Sequence, residues 1–187
     1  METKYRSIVL MGKTGSGKGT QAARLAQALD YEVFSTGARV REIGSKDTPL
    51  GRQIQKIQVS AWVPEWLASH LLVKALLEDD TEKGLVFESV ARKPEEARKL
   101  HEIHVMLERP YIVLNLDVPD EVVIERMRNR HRDASDSESN IQNRLQAFRE
   151  ETMQSLQFFT EQQKVVTING GQTEEQVFND IIEAIAV

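Results

Sequence analysis

The chain has 187 residues, of which 40% are hydrophobic and 28% charged. That is the size and composition of one ordinary globular domain, neither disordered nor built to span a membrane. Lys and Arg number 24 against 29 Asp and Glu, and the net charge of −5 has the wrong sign for non-specific binding of nucleic acid; the absence of cysteine excludes disulfide frameworks, thiolate nucleophiles and Cys-based zinc sites.

Short apolar runs alternate with amphipathic stretches. The predicted strands are Ser7–Met11, Glu32–Ser35, Leu85–Glu88, Tyr111–Leu116 and Val165–Ile168. They are rich in Val, Ile, Leu and Phe without strict polar alternation, as suits strands buried on both faces of a parallel sheet. Helical periodicity marks Gly17–Leu29, Pro119–Arg132 and a long stretch from about Ser139 to Gln162, interrupted near Thr152. A final helix starts near Thr173, where Thr173 and Gln176 fit a capping box. The β-α repeat predicts an α/β fold, a doubly wound sheet of five parallel strands. Residues 38–80 exceed a single crossover and read as a helical insertion, and the polar stretch 131–139 reads as an exposed loop. No apolar run approaches the roughly 20 residues of a membrane helix. The N-terminus enters a strand directly, without a secretory leader. A cytoplasmic protein with no membrane partner and no nucleic-acid partner is expected.

The strongest signal is Gly12-Lys13-Thr14-Gly15-Ser16-Gly17-Lys18-Gly19-Thr20, between the first strand and the first helix. Its glycines let successive N–H groups turn inward, and with the helix N-terminus they form an anion cradle; Lys18 adds a mobile cation for the outer phosphates. The strict phosphate-loop pattern G-x-x-x-x-G-K-[ST] misses by one place, because Gly19 follows Lys18 and the hydroxyl is on Thr20. At the end of the second strand comes Ser35-Thr36-Gly37, with Arg41 beyond it. Arg126 and Arg130 stand four apart, a spacing at which like charges repel by a few tenths of a kcal/mol and which a polyanion would relieve. Arg132 and Arg144 flank the acidic loop.

The GKGT ending followed by Gln21 resembles the nucleoside monophosphate kinases, and among them the adenylate kinase family; Thr14 stands where that family usually has Pro. The likeness extends over nearly the whole chain. Thr36 and Arg41 match the family's Thr near the acceptor base and Arg on the acceptor phosphate, although Ala38 replaces an Asp. Val63 falls where the family's backbone meets that base. Leu85–Arg92 resembles the third strand and its D-G-F-P-R motif, with Arg92 kept, Glu88 in place of Asp, and Ser89-Val90-Ala91 in place of Gly-Phe-Pro. Glu95, or Glu96 beside it, falls where the family has a Gln that reads adenine. Ile141-Gln142-Asn143-Arg144-Leu145 matches the family's I-x-x-R-L helix, and Arg132 matches its counterpart with a one-residue shift. Asp133 and Asp136 stand where the lid has its acidic pair.

The resemblance implies a phosphate-loop kinase with a helical NMP-binding insertion at 38–80, a short zinc-free lid at 131–139, and a monomeric state. Its reaction would be reversible phosphoryl transfer from Mg-ATP to a nucleoside monophosphate, AMP above others. Gly15, Ser16, Gly17, Lys18, Gly19, Thr20, Arg126, Arg130, Gly170 and Gln172 would bind ATP. Thr36, Arg41, Val63, Arg92, Glu95, Arg132 and Arg144 would bind the monophosphate. Lys18, Arg92, Arg130, Arg132 and Arg144 would be catalytic, and Glu88 and Thr20 are the candidates for holding Mg²⁺ through water. The altered residues leave open a nucleotide-binding protein with weak or no transfer activity, or a kinase for another monophosphate. Trp62 and Trp66 read as packing within the insertion, and His101 and His104 as solvated helix surface.

Overall fold

The computed structural model describes residues 2–56, 63–78, 83–130 and 138–186, without the side chain of Arg130. Five strands, β1 (Ser7–Gly12), β2 (Glu32–Ser35), β3 (Leu85–Glu88), β4 (Tyr111–Asp117) and β5 (Val165–Asn169), form one parallel sheet in the order β2-β3-β1-β4-β5. The expected strands are all present, three of them one residue longer than predicted.

Strand side chains alternate between two apolar layers. Val9, Met11, Phe87 and Val113 face a core completed by Leu72, Leu76, Leu100, Leu156 and Phe159. Ile8, Leu10, Val86 and Leu114 face a second core with Leu25, Val177 and Ile181. The first layer is covered by α4 (Glu65–Leu77), α5 (Pro94–Met106) and α8 (Met153–Glu161), the second by α1 (Lys18–Leu29) and α9 (Glu174–Ile185). Burial of each strand on both faces explains their continuous apolar runs. Thr173 and Gln176 form the capping box that opens α9.

The sheet reverses direction around β1. From β1 the chain runs to the edge strand β2 and returns to β3 beside β1, then crosses to β4 on the other side and on to β5. In such sheets the crevice at the carboxyl ends of the strands, beside that switch point, is where ligands bind. Among the described residues no helix is long and apolar enough to cross a membrane.

Between β2 and β3 the described residues form α2 (Thr36–Gly44), α3 (Pro49–Lys56) and α4. Helix α4 buries Leu67, Ala68, Leu72 and Leu76, which rotates Trp66 outward to 63% exposure; the packing role expected of Trp66 is not met. Trp62 lies outside the described residues.

The long helical stretch is three elements. Helix α7 (Glu138–Ala147) runs through one π-helical turn, Phe148–Thr152, into α8. Ile141 and Leu145 pack with Val118, Val123 and Met127 of the loop after β4 and α6 (Asp120–Arg130), while Phe148, Leu156 and Phe159 join the main core. The surplus residue of the π turn rephases the helix so that one continuous element serves both clusters.

His104 corrects the expectation of a solvated helix surface. It is 1% exposed, and its Nδ1–H donates to the Leu100 carbonyl at 2.7 Å. Its Nε2 has no hydrogen-bond partner, and its ring lies against Tyr111 and Phe87. Burial holds its pKa down at about 4. His101 is half-buried, with Nδ1 2.7 Å from the Tyr111 hydroxyl. The helix places both rings toward β4, a direction that a three-residue spacing among polar neighbours does not reveal.

Candidate active site

A cleft of about 710 Å³ opens at the carboxyl ends of the strands. Its floor is the loop from Gly12 to Thr20. Gly12 has φ +134, and a Cβ there would lie 2.6 Å from the Leu116 carbonyl oxygen, so the chain passes β4 too closely for any side chain. Gly17, at φ +96, is the left-handed N-cap of α1 and turns the loop into the helix. The Lys18 ammonium donates to the carbonyls of Gly12 at 2.8 Å and Lys13 at 2.6 Å, and to Ser16 Oγ at 3.4 Å. The loop is tied down from behind. Lys13 Nζ bonds the Val118 carbonyl at 2.7 Å and Asp120 at 2.6 Å. Lys13 chiefly, with Arg149, holds the Asp120 carboxyl below the usual range. This anchor was absent from the sequence reading; its signal was the acid in the first turn after Pro119.

One wall of the cleft carries Arg126, which donates to the carbonyls of Gly170 at 3.0 Å and Gln172 at 3.4 Å. Helix α6 is thereby clamped to the turn after β5. Both Gly170 and Gln172 line the cleft, as does Gln21, whose amide donates to the Glu174 carbonyl at 2.9 Å.

The opposite wall is built from the ends of β2 and β3. Register places Ser35 beside Glu88, and Glu88 beside Leu10. Ser35 caps α2 by accepting the Ala38 N–H at 3.5 Å, and Thr36, Gly37 and Arg41 face inward. Ala38 is exposed and does not line the cleft. Beyond Glu88 the chain takes φ +59 at Ser89 and +52 at Ala91 and brings Arg92 into the cleft. Burial, and Arg144 nearby, work against the positive charge of Arg92, while Glu96, Glu151 and Glu88 sustain it. Crowded guanidinium groups of this kind are poised for an anion.

Fifteen of the predicted site residues, Gly15 to Thr20, Thr36, Arg41, Val63, Glu88, Arg92, Arg126, Arg144, Gly170 and Gln172, line this one cleft. Glu95 does not. It is exposed and pairs with Arg98, and the helical phase of α5 turns Glu96 inward instead. Arg130 ends α6, and its side chain is not described. Arg132, Asp133 and Asp136 lie outside the described residues. Phe148 and Thr152 of the π turn also line the cleft, a contribution not predicted from sequence.

The adenylate kinase family model matches residues 10–164. The chain belongs to that family. Adenylate kinase 1 of Nostoc sp. is 34% identical over 179 residues, covering 93% of this chain and 95% of its own. The Mycobacterium leprae adenylate kinase is 36% identical over 183 residues, 95% of this chain and 98% of its own. That of Symbiobacterium thermophilum is 31% identical, covering 95% and 97%. This adenylate kinase family member is a nucleoside monophosphate kinase, an enzyme of phosphoryl transfer.

Glu88 and Thr20 are the cleft residues whose oxygens could hold a magnesium ion through its waters. Glu88 Oε1 would lie 3.8 Å from a Cβ built at Gly19, at the start of α1, and accepts from Ser89 Oγ at 3.1 Å. Thr20 adds an exposed hydroxyl to the same cleft. One carboxylate with a hydroxyl is a hard-oxygen set suited to Mg²⁺ that keeps its waters and binds mainly to phosphate. Among the described residues there is no cluster of three or more His, Cys, Asp or Glu that would cage a metal by itself.

Proposed function

We propose that this enzyme transfers the terminal phosphoryl group of Mg-ATP to AMP, giving two ADP. The observation that carries the reading is that one cleft joins the loop around Lys18 to the guanidinium groups of Arg41, Arg92 and Arg144. The main-chain N–H groups from Gly15 to Thr20 and the Lys18 ammonium hold the donor phosphates. Arg126, Gly170 and Gln172 form the wall for the donor base. Arg41 and Arg92 hold the acceptor phosphate, and Thr36 and Val63 face its base.

Phosphoryl transfer needs little covalent work from the protein, because the transition state spreads negative charge over the equatorial oxygens. Alignment of two phosphates and supply of positive charge carry the catalysis. Lys18, Arg92 and Arg144 supply that charge here, joined in this reading by Arg130 and Arg132. Glu88 and Thr20 would hold the waters of a Mg²⁺ ion, which would supply further positive charge to the donor phosphates. Residues 38–80 serve as the acceptor-binding insertion and 131–139 as the lid.

A coupled assay of ADP formation with ATP, Mg²⁺ and each of AMP, dAMP, CMP, UMP and GMP tests this. Turnover fastest with AMP supports it. Tight ATP binding with no turnover on any acceptor would replace it with the second reading, a nucleotide-binding protein of weak activity. The feature behind that reading is that Ala38 stands in place of an acid and Glu88-Ser89-Val90-Ala91 in place of the family's Asp-Gly-Phe-Pro.

A further inference from the structure

Glu96 is 7% exposed, yet it lines the cleft from the first turn of α5. Its Oε2 accepts the backbone N–H of Arg92 at 3.1 Å. That bond fixes the carboxyl group and gives Oε2 an acceptor's part. The charged groups around it come from every side of the site. Arg92 and Lys93 precede it in the chain. Glu65 of α4 approaches and pairs with Lys93 at 3.7 Å. Arg144 of α7 and Glu151 of the π turn act on Arg92, and Arg41 of α2 shares the cleft. Burial raises the Glu96 pKa above the usual carboxyl range, against the opposing pull of the Arg92 N–H and guanidinium. A phosphate on Arg41, Arg92 and Arg144 would cancel part of that pull and favour the neutral acid further.

The two protonation states recognise different bases. A carboxylate only accepts hydrogen bonds, whereas a carboxylic acid pairs one O–H donor with one carbonyl acceptor, as an amide does. The edge of adenine offers an N6–H donor beside the N1 acceptor. That of guanine offers two donors, N1–H and N2–H. An ionised Glu96 therefore matches guanine, and a neutral one matches adenine.

We propose that Glu96 reads the acceptor base as a neutral acid: its O–H donates to adenine N1, Oε2 accepts from N6–H, and AMP binding draws a proton from solvent onto this side chain. The inference rests on the AMP reading proposed above.

Calorimetry of AMP binding across pH 5.5–8.5, in buffers of different ionisation enthalpy, measures the proton count directly for the wild type and Glu96→Gln. The amide supplies the same donor and acceptor at every pH, and titration of the AMP phosphate is common to both proteins. The wild type is expected to take up more protons than the variant, approaching one more above the Glu96 pKa. The ratio of wild-type to variant Kd for AMP should rise about tenfold per pH unit there. ATP binding should keep one ratio throughout. If the variant does not fold, ribose 5-phosphate binding to the wild type supplies the phosphate correction. Equal proton uptake with a flat Kd ratio overturns the inference, as does a wild-type preference for GMP with no extra uptake. AMP turnover alongside either result leaves the kinase reading intact, whereas no turnover with any monophosphate overturns that reading first.

Discussion

The two sides of the cleft ask their backbones for the same left-handed geometry and meet it with different residues. On the side proposed to hold the donor, Gly12, Gly15 and Gly17 take φ of +134, +74 and +96. On the side proposed to hold the acceptor, Ser89 and Ala91 take +59 and +52, and each carries a Cβ. A side chain in that region costs roughly 1–2 kcal/mol. Ser89 offsets part of the strain through its bond to Glu88, and Ala91 through a fully buried methyl group. The contrast follows from what each loop presents. The donor loop offers main-chain N–H groups, so its backbone must come close to other backbone. The acceptor segment offers Glu88 and Arg92 as side chains, so its shape can be held by packing around it.

Several substitutions would break or sharpen this contrast. The largest effect is expected from Lys18→Met, which removes the ammonium group bonded to the Gly12 and Lys13 carbonyls; the transfer rate in the coupled assay should fall by about 10²–10³-fold. Survival of the wild-type rate would refute the donor-site assignment. Gly12→Ala asks the same loop to accept a Cβ against the Leu116 carbonyl, and denaturant unfolding should register a loss of about 3 kcal/mol. A loss below 1 kcal/mol would mean that the close approach to β4 can relax.

Acid probes the acceptor half, because α5 carries His104. Its pKa is depressed from 6.5 to about 4 in the folded chain, so the unfolded chain takes up the proton first. Stability from this group is complete above pH 6.5 and is lost as pH falls toward 4, on the order of 3 kcal/mol in all. Urea midpoints measured over that window should drop for the wild type and much less for His104→Phe. Parallel curves for the two proteins would contradict the assignment. The smallest effects belong to the strained pair. Ser89→Gly should gain about 0.5 kcal/mol, since relief of strain outweighs one partly exposed hydrogen bond. Ala91→Gly should change little, because a buried methyl worth about 0.8 kcal/mol is lost along with the strain. Equal gains from both would show that packing does not hold Ala91 in place.

Much of this was legible from residue order. Strands buried on both faces announce themselves as short apolar runs, and the donor loop announces itself because glycine and Lys18 are required by backbone geometry and charge. The Thr173–Gln176 cap was legible for the same reason: its signal is local. Sequence spacing failed where a single step of helical phase decides direction. Glu95 and Glu96 are neighbours with similar chemistry, and only the docking of α5 sends one to solvent and the other to the cleft. Trp66 and His104 were misplaced by the same uncertainty, in opposite senses. The Lys13–Asp120 anchor joins residues 107 positions apart, a distance over which no local pattern speaks.

The π turn at Phe148–Thr152 has a consequence for how this chain can vary in length. One extra residue in that turn lets Ile141 and Leu145 meet one apolar cluster and Leu156 and Phe159 another. Deleting a single residue there would regularise the hydrogen bonding of the helix and yet swing every later position by about 100°. Leu156 and Phe159 would leave the core together. Tolerance of insertions and deletions should therefore collapse at this point, in a helix whose outward appearance is uninterrupted, while exposed loops away from the cleft stay permissive.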